Sequence, residues 1–174
     1  MSSKLLLLRH AKSSWSLDGL PDSDRPLSRR GQKSSRAMGN YIANHDLLPD
    51  VIVSSPAVRA RETVAGLDEQ WSGSVPVFFE PAIYGAAACE LLYCIQAQAE
   101  GAQKILVVGH NPGIENLALF LDPNGPEKLV REITRKFPTC GLAVFSCNEP
   151  WSQLSARNTI LDNFVRPKDL ESGG

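Results

Sequence analysis

The sequence has almost no excess of charge of either sign: eighteen Lys and Arg stand against nineteen Asp and Glu, a net of -1 over 174 residues. No global field draws the chain to nucleic acid or to anionic lipid, so any anion binding has to come from local clustering of cations. Cysteine is sparse too. Cys89, Cys94, Cys140 and Cys147 form neither a CxxC pair nor a Cys/His ligand spacing, which argues against a structural zinc site. Nothing points to an oxidising compartment, so buried free thiols are predicted rather than disulfides, in a cytoplasmic protein. Long apolar runs are missing: the stretch ending at Arg9 is too short for a signal peptide, and no segment approaches a membrane span. There is no internal repeat and no low-complexity segment. Size and an ordinary balance of 43% hydrophobic and 21% charged residues predict one folded domain over residues 1–170, with 171–174 a frayed tail.

What is there is an alternation of short apolar runs and amphipathic stretches. KLLLLRHAKSSW, 4–15, begins with a run too short for an ordinary helix and passes into Arg9 and His10 without a turn residue. It is read as a buried strand that ends in two polar groups. SLDGLPDSDRPLSRRG is rich in Gly, Pro, Ser and Asp, as a long surface loop would be. Ser28 can cap a helix whose face carries Ala37, Met38, Tyr41 and Ile42 and which ends near His45. DVIVSS, 50–55, is a second buried strand, followed by a helix from Pro56 to about Gln70. VPVFFE, 75–80, is a third strand and 86–100 an alanine- and leucine-rich helix. KILVVGHNPG repeats the opening pattern: a strand at 105–108, His110 at its end, and a helix after Gly113. A fifth strand at 141–147 and a more polar outer one near the C-terminus complete the pattern.

Strands alternating with helices predict an α/β fold, a three-layer α/β/α sandwich with a mainly parallel sheet. Such sheets bind ligands beyond the carboxyl ends of their strands, and three of those ends carry chemistry here: Arg9-His10, the segment from Ser54 to Arg59, and His110-Asn111. Arg9 and Arg59 offer planar donor forks that match phosphoryl oxygens at any physiological pH. A neutral imidazole in line with phosphorus is a competent nucleophile, and neighbouring arginines disfavour its protonation; His10 is assigned that role. His110 would steady the transferring oxygens, the more so if protonated. No Asp-rich set accompanies these residues, so neither a metal nor another cofactor is implied, and activity is expected to survive chelation. Other charged residues are given plainer readings. His45 is assigned a satisfied hydrogen bond in a helix tail, Arg61 and Glu62 a solvated helix face, and Arg29 and Arg30 exposed positions at a helix start.

Taken together, RHA at 9–11, SSPAVRARET at 54–63 and GHNPG at 109–113 resemble the motifs of the histidine phosphatase superfamily, the phosphoglycerate-mutase-like fold. The HAKSSW continuation, DSDRPLSRRG at 22–31 and the short length resemble its SixA-like phosphohistidine phosphatases. The resemblance implies that His10 is transiently phosphorylated, that Arg9 and Arg59 grip the phosphoryl oxygens and that His110 completes the pocket. It also places Arg25 and Asn111 on the rim as substrate-binding residues. The sequence departs from the family at one point. Members acting on phosphate esters carry an acid in a stretch resembling NERxYG, whereas FEPAIYG, 79–85, has Pro81 there and Glu80 one position away. A one-residue slip along a strand turns a side chain to the other face, so Glu80 is a doubtful acid.

An alkoxide is a very poor leaving group without a proton donor, whereas a phosphoramidate leaves as an imidazole that can already carry its proton. The leading expectation is therefore a metal-independent phosphatase acting on phosphohistidine through His10, with phosphorylated histidine-containing proteins or small phosphorylated substrates as partners. Neither nucleic acid nor a membrane enters that reading. The first alternative is a small-molecule phosphomonoesterase with Glu80 or Asp24 as acid. A second, less favoured, is a phosphate-binding module without turnover. A mutase is disfavoured because no added basic segment is seen for a second phosphate.

Overall fold

A computed structural model describes residues 2–16, 18–98, 101–123 and 125–171. Six strands form one sheet: β1 Ser3–Arg9, β2 Val51–Ser54, β3 Val77–Phe79, β4 Lys104–Gly109, β5 Leu142–Cys147 and β6 Thr159–Val165. Their order across the sheet is β3-β2-β4-β1-β5-β6. The first four are parallel, β5 runs antiparallel to β1, and β6 at the edge runs antiparallel to β5. Six helices are described: α1 Arg29–Asn44, α2 Val58–Asp68, α3 Ala88–Gln98, α4 Gly113–Leu121, α5 Glu127–Arg135 and α6 Pro167–Glu171. The α/β sandwich with a mainly parallel sheet is the architecture observed.

The four leucines that open the chain are continuous because both faces of β1 are covered. Leu5, Leu6, Leu7 and Leu8 are all fully buried, as in a parallel sheet packed on both sides. Alternation then sorts them: Leu5 and Leu7 join Ile105, Val107 and the side chains of α3, α4 and α5, while Leu6 and Leu8 join Leu106, Val108, Met38 and Leu67 beneath α1 and α2. Ser28 caps α1 as anticipated, its hydroxyl accepting from Gly31 N–H at 3.1 Å. α1 and α2 approach closely through small residues, since a Cβ on Gly39 would lie 2.7 Å from the Leu67 carbonyl oxygen.

Several local expectations are corrected. Pro56 lies outside α2, which begins at Val58. β3 is three residues long, shorter than the 75–80 expected, and with Phe78 and Phe79 exposed it is a short edge strand. The long loop after β1 contains a one-turn 3-10 helix, Asp22–Asp24. Cys89 is exposed, whereas Cys94, Cys140 and Cys147 are buried; all four are free. Glu62 is not simply solvated, because its carboxylate accepts from Leu27 N–H at 2.6 Å and ties α2 to the loop before α1. Glu171 of the predicted tail closes α6, and 172–174 lie outside the described residues. Among the described residues no helix is long and apolar enough to cross a membrane.

Candidate active site

The register of the parallel strands aligns the three chemically equipped ends. Val108 of β4 pairs with Ser54 of β2 on one side and with Leu8 of β1 on the other. The chain therefore leaves the sheet at one level with Ser55, His10 and His110. His10 N–H donates to Gly109 O at 2.9 Å and Ser55 N–H to Val108 O at 3.0 Å, so the exits are stitched together before any side chain acts. One further link runs from β1 to α2. Ala11 N–H donates to Thr63 Oγ1 at 2.9 Å, and the Thr63 hydroxyl donates to Arg59 O at 2.6 Å, fixing the first turn of α2 beside His10.

The two imidazoles face one another with ring centroids 4.9 Å apart. Both are buried, His10 at 8% and His110 at 9% exposure. His10 Nδ1 lies 2.7 Å from the Ala11 carbonyl oxygen. A carbonyl can only accept, so Nδ1 carries the proton and Nε2 keeps its lone pair. Burial pushes the His10 pKa down to about 3; the Ala11 hydrogen bond opposes this, and the His110, Arg59 and Arg9 charges add to it. His110 Nε2 is 2.7 Å from Ser55 Oγ, and Arg59 Nη2 reaches to 3.4 Å from Nδ1. Burial, then Arg59, lowers the His110 pKa to about 4, with Asp22 opposing. In the free site both rings are thus uncharged at neutral pH, so the protonated form that would make His110 the stronger donor is not the resting one.

The arginines differ in how far they are engaged. Arg9 Nη1 donates to Phe137 O at 2.9 Å, while its Nε is buried without a hydrogen-bond partner. A buried, unpaired guanidinium nitrogen is costly to leave unsatisfied and is a ready donor for an incoming oxygen. Burial lowers the Arg9 pKa and Glu115 opposes it. Arg59 is instead occupied by Asp22: Nη1 donates to its backbone carbonyl at 2.5 Å and Nη2 to its carboxylate at 2.9 Å. Tyr84 OH donates to the same carboxylate at 2.7 Å, and the Tyr84 ring meets His110 edge-on at 5.4 Å.

Of the other predicted residues, Arg25 is linked to the site through Asp22, at 3.5 Å. Its remaining donors go to Ser14 O and Ser13 Oγ, and its guanidinium lies 3.1 Å over the Trp15 ring. Asn111 donates to Glu115 at 2.9 Å and to Phe137 O at 3.2 Å, the carbonyl that Arg9 also uses, and its Oδ1 is buried without a partner. It brackets Arg9. Glu80 does not join the group. One of its oxygens accepts from Ala82 N–H at 3.0 Å and the other from Gln98 Nε2 at 2.9 Å, on the α3 side. Asp24 is exposed and accepts from Ser23 at 3.0 Å. Among the described residues no cluster of His, Cys, Asp and Glu is arranged to hold a metal ion.

The sequence profile of the histidine phosphatase superfamily (branch 1) matches residues 5–84. A solved structure of a SixA protein from Agrobacterium tumefaciens, provisionally assigned as a phosphohistidine phosphatase, is 30% identical, covers 96% of this chain and 99% of its own, and superposes with a TM-score of 0.79. The chain belongs to the histidine phosphatase superfamily. Within that superfamily it is SixA-like. A SixA protein of Nakamurella multipartitia with the same provisional assignment gives a TM-score of 0.84 at 29% identity, over 96% of this chain and 97% of its own. The phosphohistidine phosphatase SixA of Escherichia coli K12 is 27% identical over 122 residues, 69% of this chain and 74% of its own.

Three residues at this histidine phosphatase site were not singled out from sequence. Ser55 lies within SSPAVRARET, but a serine between a strand and a proline has many structural uses. Asp22 sits in a loop, where no periodicity indicates direction. Tyr84 closes the FEPAIYG stretch, and a hydroxyl contact to Asp22 across 62 positions of sequence has no signal in spacing.

Proposed function

We propose that this protein is a metal-independent phosphatase that hydrolyses phosphohistidine on proteins through a covalent intermediate on His10. The observation that carries the reading is the fixed tautomer of His10: a buried neutral ring whose Nδ1–H is committed to Ala11 O and whose Nε2 is free to attack. Arg9 and Arg59 grip the phosphoryl oxygens and His110 donates to them as charge moves across the transition state. When a dianion enters, its negative charge favours proton uptake by His110, reversing part of the depression found in the free site.

The choice of a nitrogen-linked substrate rests on the carboxylates. Glu80 is turned to other partners with both oxygens, and Asp22 is held below the usual carboxyl range by Tyr84 and then Arg59, so neither serves as a proton donor to a departing alkoxide. Transfer from one imidazole to another needs no such acid. The names carried by the SixA relatives agree with a phosphohistidine substrate. Four free thiols, three of them buried, accord with a reducing cytoplasm.

The test is a trapping experiment on the full chain. A ³²P label from a phosphohistidine protein should appear on the wild type under acid-free quenching and vanish in His10→Ala. Turnover of the same substrate should persist in Glu80→Gln and exceed turnover of sugar phosphates in kcat/KM. Preferred hydrolysis of small esters would instead make the protein a phosphomonoesterase, and a tightly held phosphoprotein with neither label nor turnover would make it a binding module.

A further inference from the structure

The exposed rim of the site carries a carboxylate that the proposed reaction has not yet used. Asp22 stands on the one-turn helix Asp22–Asp24 with its side chain 55% exposed. Its Oδ2 accepts from Arg59 Nη2 at 2.9 Å and from Tyr84 OH at 2.7 Å, and Oδ1 lies 3.5 Å from Arg25 Nη1. Three groups thus hold one carboxylate at the mouth of the pocket. In-line displacement puts the leaving group on the far side of phosphorus from the attacking nitrogen. The attacking ring is buried, so the leaving group emerges toward solvent, where Asp22 and the 43% exposed Tyr84 stand.

The charge of that leaving group differs between substrate classes. A phosphorylated imidazole departs as a neutral ring when its other nitrogen is protonated, so the reactive form is a cation. An ester departs as an oxyanion, and negative charge grows on it in the transition state. A fixed carboxylate at the rim attracts the first and repels the second. We propose that Asp22 is a specificity-determining residue that selects nitrogen-linked phosphoryl groups by holding the cationic phosphoimidazole through the N–H that the ring keeps as it leaves, an inference that rests on the phosphohistidine reading above.

The step balances without any external acid. His10 Nε2 forms a bond to phosphorus while the bond from phosphorus to the substrate nitrogen breaks, its electron pair remaining on the substrate ring. That ring leaves neutral, keeping its proton on the other nitrogen, and His10 becomes the cationic phosphorylated ring with its own proton on Nδ1. Water then attacks phosphorus, the pair returns to His10 Nε2, and dihydrogen phosphate departs and yields a proton to solvent. The two rings exchange like states. On the protein side the cation is met by the Ala11 carbonyl, 2.7 Å from Nδ1; on the substrate side the corresponding partner is the Asp22 carboxylate.

The experiment compares kcat/KM for a phosphohistidine peptide and for p-nitrophenyl phosphate in the wild type, Asp22→Asn and Asp22→Glu. In Asp22→Asn the phosphohistidine value should fall about fivefold, the scale of one solvent-screened ion pair, while p-nitrophenyl phosphate stays level or rises. Asp22→Glu should recover part of the preference. Added KCl should lower the ratio of the two values in the wild type and leave it flat in Asp22→Asn. The salt series on the wild type stands even if the variants fold poorly. Equal losses on both substrates would make Asp22 a support for Arg59 alone and overturn the inference, as would equal gains or no change. A wild type that favours p-nitrophenyl phosphate overturns the functional reading itself, whatever Asp22→Asn does.

Discussion

Ser55 shows how much of this site rests on a single hydroxyl. It is fully buried, its Oγ accepts from Ala57 N–H at 3.3 Å, and His110 Nε2 lies 2.7 Å away. Arg59 Nη2 is directed at the other ring nitrogen, so Nε2 carries the proton and Ser55 Oγ accepts it. Ser55 is a positioning residue: it acts through His110. Ser55→Ala should lower kcat roughly tenfold with KM changing less, because the lost bond matters most when the ring must donate to the transition state. Restoration by Ser55→Thr would mark the hydroxyl as the cause, whereas a loss confined to KM would show that His110 does not depend on it during transfer. Sequence could reach Arg9, His10, Arg59 and His110 because strand ends and donor chemistry restrict what they can do. It could not reach Ser55, Asp22 or Tyr84, whose roles depend on contacts between segments far apart in the chain.

At the scale of elements, legibility followed periodicity. β1 and β4 were readable as apolar runs ending in polar pairs, and α1 as a capped amphipathic helix. α5, Glu127–Arg135, is absent from the sequence reading although Leu129, Val130 and Ile133 recur at helical spacing and pack toward the core; the element is nine residues long and offers three apolar positions among its charges. β3 is shorter than its 75–80 run suggests, because Phe78 and Phe79 have the character of core residues yet stand on an edge, where Phe79 is covered by the Arg61 guanidinium at 4.3 Å. The turn that presents His110 depends on a close approach that only glycine allows. A Cβ on Gly113, at the start of α4, would collide with the Ala86 carbonyl oxygen and come within 3.2 Å of Leu91 Cδ1. Gly113→Ala should therefore destabilise the protein by about 1–3 kcal/mol, read as a lower urea midpoint at unchanged m. It should also reduce activity, since α4 can yield only by shifting the loop that carries His110. An unchanged midpoint would mean that the 83–86 turn moves freely and does not brace the site.

For the whole molecule, burying two uncharged imidazoles in one pocket couples the site to folding. In the folded chain His10 stays neutral down to about pH 3 and His110 to about pH 4, whereas in the unfolded chain an imidazole takes up its proton near pH 6.5. Both folded values are depressed, so the stability they confer is full above the unfolded value and is lost as pH falls. Between about pH 6 and pH 4 the unfolded chain binds up to two more protons than the folded one, and stability should drop by up to about 2.7 kcal/mol per pH unit. Lowered carboxyls such as Asp22 and Asp169 add their own loss in a separate window, from about pH 4 downward. Urea unfolding at pH 7, 6 and 5 should show the fall. In a chain carrying both His10→Asn and His110→Asn the slope over that interval should be nearly flat, even if the midpoints themselves shift. Tungstate or phosphate should flatten the wild-type slope as well, because a bound anion favours the protonated form of His110 and lets the folded state take up a proton that the empty pocket refuses. An equal slope in wild type and double variant would show that the two rings titrate as they do in water, and the pocket would then not be what keeps the His10 nucleophile neutral as pH falls below about 6.5.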